Sequence, residues 1–208
     1  MRPGQAARSM APHPTTLVIA CGALAREMLA VAEQQGLRNL SVTCLPAGWH
    51  NRPQKIPAGV RAKIQAARGQ YDRIFVAYGD CGTGGELDRV LAEEGVERIA
   101  GPHCYEFFAG AEAFRDLMEA ELGSFFLTDY LARHFDKLMI EGLGLDRHPE
   151  LREAYFGNYR KLVYLAQTDD ADLTARAADA ARKIGLEFER RFTGYGDLTG
   201  FMRRAAGA

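Results

Sequence analysis

The sequence predicts an α/β protein built from parallel-sheet, Rossmann-like βαβ units with a helical insertion. Two observations carry this. Short apolar runs alternate with amphipathic segments of helical length from Thr16 to about Ala100, and the same rhythm returns between Lys161 and Thr193. Strands alternating with helices imply crossover connections and therefore parallel pairing.

The elements follow in order. Thr16-Leu17-Val18-Ile19-Ala20 is a short buried strand, and Ala23 to Gln35 carries a helical pattern. Leu40 to Leu45 is a second strand, ended by Pro46, which cannot donate to a ladder. A loop and the amphipathic segment Val60 to Arg68 lead to a strand over Arg73 to Ala77. A helix over Gly85 to Glu94 stops at Gly95, and Glu97 to Ala100 is a short strand. Beyond Cys104 the pattern is helical through Phe107 to Leu122 and Thr128 to Leu143, and HPEL at His148 opens another helix. Lys161 to Gln167, Ala171 to Ile184 and Leu186 to Thr193 restore β-α-β, and a last helix begins at Asp197. No low-complexity linker interrupts the chain. The reading is a lead over residues 1–15 and a single α/β domain over 16–208, with the insertion at about 105–160. The insertion is expected to pack beside the strand ends, with Phe107, Phe108, Phe125, Phe126 and Tyr130 in the core rather than in a ligand cage.

Composition excludes several function classes. Of 208 residues, 47% are hydrophobic and 25% charged, which suits a globular core. A net charge of −1 leaves no electrostatic footprint for nucleic acid or an anionic membrane. No apolar run approaches the roughly 20 residues that span a bilayer. The first fifteen residues, MRPGQAARSMAPHPT, have no apolar h-region and read as a disordered lead rather than a secretion signal. A cytoplasmic setting, with the four cysteines reduced, is the expectation.

Those cysteines are unevenly placed. Cys21 follows the first strand and precedes Gly22. Cys81 lies in the glycine-rich turn YGDCGTGG after the third strand. Cys104 follows Gly-Pro-His after the fourth. Ligands of open parallel sheets collect at the carboxyl ends of the strands, so three cysteines from three strand ends are expected in one crevice, their sulfurs within roughly 4–7 Å of one another. The turn resembles a phosphate loop without its Lys-Ser/Thr pair. Helix N-termini beside each thiol favour thiolate, the form that ligates metals and attacks electrophiles. Chance placement is the competing reading, since free cysteines are often simply buried and no C-x-x-C pair is present. Cys44, inside the second strand, reads as a small buried hydrophobe, expected to stand apart.

Other polar residues share that edge. His50, in Trp-His-Asn-Arg-Pro after the second strand, and His103, next to Cys104, are candidate acid–base groups or ordinary loop histidines. Asp80 either orients a proton donor as a catalytic residue or bonds its own turn. Arg52 could pair a carboxylate bidentately, and Gln167 follows the strand at Lys161. Together they suit a small polar metabolite better than a polymer. Thr128-Asp129 reads as a helix cap, His134 as a helix-face residue and His148 as a turn residue, while His13 falls in the lead.

The strings IACGALAREM, LPAGWHNRP, YGDCGTGGELD, GPHCYEFFAG, FFLTDYLARHFD, GLDRHPELREAYFGNYRKLVYLAQTDD and GYGDL together resemble the bacterial and archaeal domain-of-unknown-function family 1638 (DUF1638), from about Thr16 to Met202. The resemblance implies a small cytosolic protein associated with corrinoid-dependent methyl transfer from methylated amines, with a corrinoid protein or methyltransferase as partner. Its motif positions include Cys21, His50, Cys81, His103 and Cys104.

Three functions are then expected to compete. Cys21, Cys81 and Cys104 could hold a [4Fe–4S] cluster with one open iron, or a zinc with His50 as fourth ligand, in a metal-dependent lyase or transferase. Alternatively, Cys81 is a nucleophile with His50 as base and Asp80 as orienter, in a transferase or hydrolase. Thirdly, the chain is a non-catalytic metal carrier or accessory protein of a corrinoid methyltransferase system. The metal reading ranks first because it gives all three cysteines a role.

Overall fold

Leu17, Val18, Ile19 and Ala20 are buried on both faces of the first strand, as a central strand of a covered parallel sheet must be. In the computed structural model, which describes residues 14–208, this strand β1 (Thr16–Cys21) lies between β2 (Leu40–Leu45) and β3 (Arg73–Ala77), and β3 pairs with β4 (Glu97–Arg98). All pairings are parallel, in the order β2-β1-β3-β4, with Ala20 opposite both Cys44 and Ala77. The expected lead over 1–15 falls mostly outside the described residues; Thr15 is tied to Asp72 through its backbone N–H and its hydroxyl.

Side chains alternate strictly between the two faces of this sheet. Val18, Ala20, Val42, Phe75 and Ala77 meet α1 (Ala25–Gln34) and α9 (Gly196–Ala206), whereas Leu17, Ile19, Leu45, Val76 and Tyr78 meet α2 (Ile56–Ala67) and α3 (Glu86–Glu94). Period-2 alternation with apolar residues in both phases is what two covered faces demand.

The stretch expected to be mainly helical contains a strand. The helices α4 (Cys104–Ala109) and α5 (Ala111–Ala120), broken at Gly110, precede β5 (Ser124–Leu127). A second parallel sheet runs β5-β6-β7, with β6 (Lys161–Ala166) central and β7 (Glu187–Phe192) at the edge. Three apolar residues between helical patterns do not reveal their period, so Phe125-Phe126-Leu127, lying between the two expected helices, carries no distinct strand signal. The insertion is thus part of a second three-stranded unit. Its sheet is covered on one side by α6 (Asp129–Phe135) and α8 (Ala171–Ile184), and on the other by Phe114 of α5. The helix expected over Thr128 to Leu143 ends at Phe135 and continues as a π-helical turn, Asp136–Glu141. The HPEL segment forms a short 3₁₀ turn leading into α7 (Arg152–Phe156). Phe107, Phe108 and Phe126 are buried core residues, as expected, and Phe125 packs edge-on against Phe156 and Tyr159. Phe107, though buried, and Tyr130 also line the cleft described below.

The chain crosses back at its end. After β7 in the second sheet, α9 returns to the first and inserts Leu198, Phe201 and Met202 into the β1 core. Gly196 sits so close to the carbonyls of Phe107 and Phe108 that a Cβ there would collide with backbone.

Candidate functional site

The order β2-β1-β3-β4 reverses direction between β1 and β3, and a crevice opens beyond the carboxyl ends of strands at such a switch point. Here it is a partly enclosed cleft of about 70 Å³. The first sheet supplies Cys21, Tyr78, Gly79 and Cys81, while the second unit supplies Thr128, Tyr130 and Leu131. Cys104, His50 and Asn51 complete its polar rim, and Leu24, Phe107, Leu138 and Met139 its apolar wall.

Close backbone approach assembles it. A Cβ on Gly79 would stand 2.6 Å from the Pro102 carbonyl oxygen, so only glycine lets the β3 loop lie against the segment before Cys104. The Cys81 N–H donates to that same carbonyl at 3.0 Å, which fixes the two cysteine loops to each other. At Gly22 an added Cβ would meet the Leu45 carbonyl at 3.0 Å, and this brings the ends of β1 and β2 together.

Cys81 has φ of 49°, the only non-glycine residue with positive φ among the described residues. Gly82, Gly84 and Gly85 follow with positive φ as well. An ordinary L-residue held there is strained, and strain of this kind gathers at functional loops. Asp80 organises the turn: its carboxylate accepts from the Thr83 hydroxyl (2.6 Å) and from the Gly84 and Gly85 N–H groups (3.2 and 2.9 Å). Those bonds hold its pKa below the usual carboxylate range. Asp80 does not line the cleft.

The thiols are not biased toward thiolate as expected. Burial raises the pKa of Cys21, pushes Cys81 up to about 11 and drives Cys104 higher still; a thiolate at Cys21 raises both of the others. Burial prevails over helix dipoles because α3 begins only at Glu86, five positions beyond Cys81, and α4 is six residues long. Among the described residues, no three His, Cys, Asp or Glu side chains stand at the spacing of a preformed metal cage. The expected shared cleft is present; a ready-made ligand set is not.

The other candidates divide. His50 lines the cleft from its exposed edge, where partial desolvation, then the neighbouring His103, lower its pKa and favour the neutral imidazole. His103 itself is exposed, near the Tyr105 ring, and outside the lining. Arg52 is exposed and also outside it. Gln167 is buried in the second sheet, where its amide accepts from the Asp129 N–H (2.7 Å) and donates to the Leu165 carbonyl (2.5 Å). There it buttresses Asp129, whose carboxylate accepts from the Tyr164 hydroxyl, the Gln167 N–H and both donors of Thr168. Cys44 is half-buried against the β1 core and outside the lining, but near enough to Cys21 to feel its charge.

Sequence reading missed Tyr78. Its hydroxyl is buried without a hydrogen-bond partner of good geometry and lies against the Cys21 sulfur; the residue is 2% exposed. Burial raises its pKa strongly, so it stays a donor. A tyrosine ending an apolar run reads as core from sequence, and only the absence of a polar partner distinguishes it.

A family model described as "Protein of unknown function (DUF1638)" matches residues 44–202, and the chain belongs to that family. No curated protein and no solved structure matches the chain. No helix among the described residues is long and apolar enough to cross a membrane.

Proposed function

We propose that this member of the DUF1638 family binds a soft metal centre, zinc or a [4Fe–4S] cluster, through Cys21, Cys81 and Cys104, and acts there on a small metabolite. What supports the reading is that all three cysteines, from the ends of β1 and β3 and the start of α4, line one partly enclosed cleft at the switch point of the sheet. The three residues are half-buried, and thiols whose pKa is raised by desolvation and by one another are poor nucleophiles unaided. Bound to a metal cation, Cys21, Cys81 and Cys104 would be held as thiolates, their protons passing to solvent and their mutual repulsion offset. The side chains would have to close around it, since they share the cleft without standing at the spacing of a cage. When bound, such a centre supplies a Lewis acid or an activated thiolate. Neutral His50 would then serve as fourth zinc ligand or as the base beside the centre. Transfer or elimination on a small substrate fits that inventory, and a thiolate-bound metal suits the corrinoid-linked methyl chemistry that the family resemblance implies.

Metal analysis and the visible spectrum of anaerobically purified protein test this. Broad absorbance near about 400 nm marks iron–sulfur, and a colourless protein with stoichiometric zinc marks the alternative. Cys21→Ser, Cys81→Ser and Cys104→Ser should each lose most of the metal, while Cys44→Ser keeps it. Full metal content in all three single variants would overturn the assignment.

One observation favours a second reading. Cys81 alone is held in the left-handed region, as a strained nucleophile would be, in a cleft that His50 also lines. Under that reading, metal-free protein is fully active and only Cys81→Ser abolishes activity.

A further inference from the structure

None of the side chains lining the cleft is Asp, Glu, Lys or Arg. Its polar groups are all neutral, and one of them, the Tyr78 hydroxyl, is buried without a partner. A buried hydroxyl that leaves its donor unused loses free energy unless a ligand supplies the acceptor. The neighbouring Cys21 thiol is a weak acceptor. A free carboxylate or phosphate entering this cleft would give up its hydration with no lysine or arginine to replace it.

From the lining and from Tyr78 we infer that the ligand is an uncharged, compact molecule with one hydrogen-bond acceptor, received by the Tyr78 O–H. This rests on the reading of the cleft as the functional site, but not on any metal in it. The volume of about 70 Å³ corresponds to on the order of five water molecules, so the enclosed group has only a few heavy atoms. With no charged side chain in the lining, the protein's own groups favour a neutral ligand over an anionic one.

Two alkylating probes of nearly equal size separate the cases. Iodoacetamide is neutral and carries a carbonyl acceptor, whereas iodoacetate is an anion. In each, the cysteine sulfur displaces iodide, forming an S–C bond, and the thiol proton passes to buffer. Rates at Cys21, Cys81 and Cys104 are read by peptide mass spectrometry on metal-free, full-length protein. Cys44 is the internal reference, outside the cleft and near enough to Lys63 to feel its positive charge. The preference for iodoacetamide over iodoacetate should be roughly tenfold greater in the cleft than at Cys44. Tyr78→Phe should slow iodoacetamide in the cleft by roughly fivefold, with iodoacetate and Cys44 rates unchanged; an unchanged Cys44 rate also reports an intact fold. Equal preference at the cleft and at Cys44 overturns the neutral-ligand inference. A preference that survives Tyr78→Phe intact overturns the role of Tyr78. Neither outcome depends on metal content, so the metal reading stands or falls separately.

Discussion

At Cys81, a cysteine in a left-handed backbone with a pKa pushed up to about 11 ties the chemistry to pH. If a metal binds these thiols, each must lose a proton that it would otherwise hold at neutral pH. Apparent zinc affinity of the apo protein should therefore rise steeply between pH 6 and 8, with proton release measurable by calorimetry in buffers of different ionisation enthalpy. Affinity independent of pH would remove the thiols as ligands. His50 gives the complementary test. Its folded-state pKa is depressed, so the stability it contributes by staying neutral is fully present above its unfolded pKa of about 6.5. That contribution is lost as pH falls through the lower folded value. His50→Gln should flatten the decline of Tm between pH 7 and 5, and an unchanged slope would show that His50 is not held neutral by the fold. Cys21, Cys81, Cys104 and His50 were legible as cleft residues from their places after strands. Tyr78, Tyr130 and Met139 were not, because nothing in their own residue types separates a cleft wall from a core.

The glycine-rich turn between β3 and α3 is held from two sides. Gly79 admits the Pro102 carbonyl, and the Asp80 carboxylate gathers Thr83, Gly84 and Gly85. Gly79→Ala should cost about 1–3 kcal/mol or more, because the obstructing atoms are backbone and cannot rotate away. The same change should separate the Cys81 and Cys104 loops and lower metal retention; denaturant unfolding and metal analysis read the two effects. Asp80→Asn should preserve the fold but loosen the turn, seen as faster amide exchange at Gly84 and Gly85. If Asp80 instead acts on substrate, the variant loses activity with exchange unchanged. Sequence left both roles for Asp80 open, since an Asx turn and a catalytic carboxylate look alike until the partners of the oxygens are known.

Over the whole molecule, two parallel sheets are tied into one structure by α9, which leaves the second sheet and completes the core of the first. Leu198, Phe201 and Met202 are buried there, each contributing roughly 1.5–3 kcal/mol. A chain ending at Tyr195 should therefore fail to fold its β1 half and lose the cooperative melt seen by circular dichroism. A soluble, cooperatively melting truncation would show that the first sheet is stable without its returning helix. The cleft depends on the same arrangement, since its walls come from the end of the first sheet and from Thr128 to Leu131 after β5.

The sequence by itself determined the parallel α/β class, six of the seven strands and the position of three cysteines at strand ends, because periodicity and punctuation are local signals along the chain. Tertiary structure alone decided that there are two sheets, that a short apolar run becomes β5, and which partners the Gln167 amide and the Asp80 carboxylate take. It also decided the ionisation of the cleft, since burial depends on what the rest of the chain brings alongside. Spacing could put Cys21, Cys81 and Cys104 at one edge. Only the packing of Leu24, Phe107 and Leu131 beside them shields the thiols from water, which raises their pKa against the thiolate that an exposed helix end would have favoured.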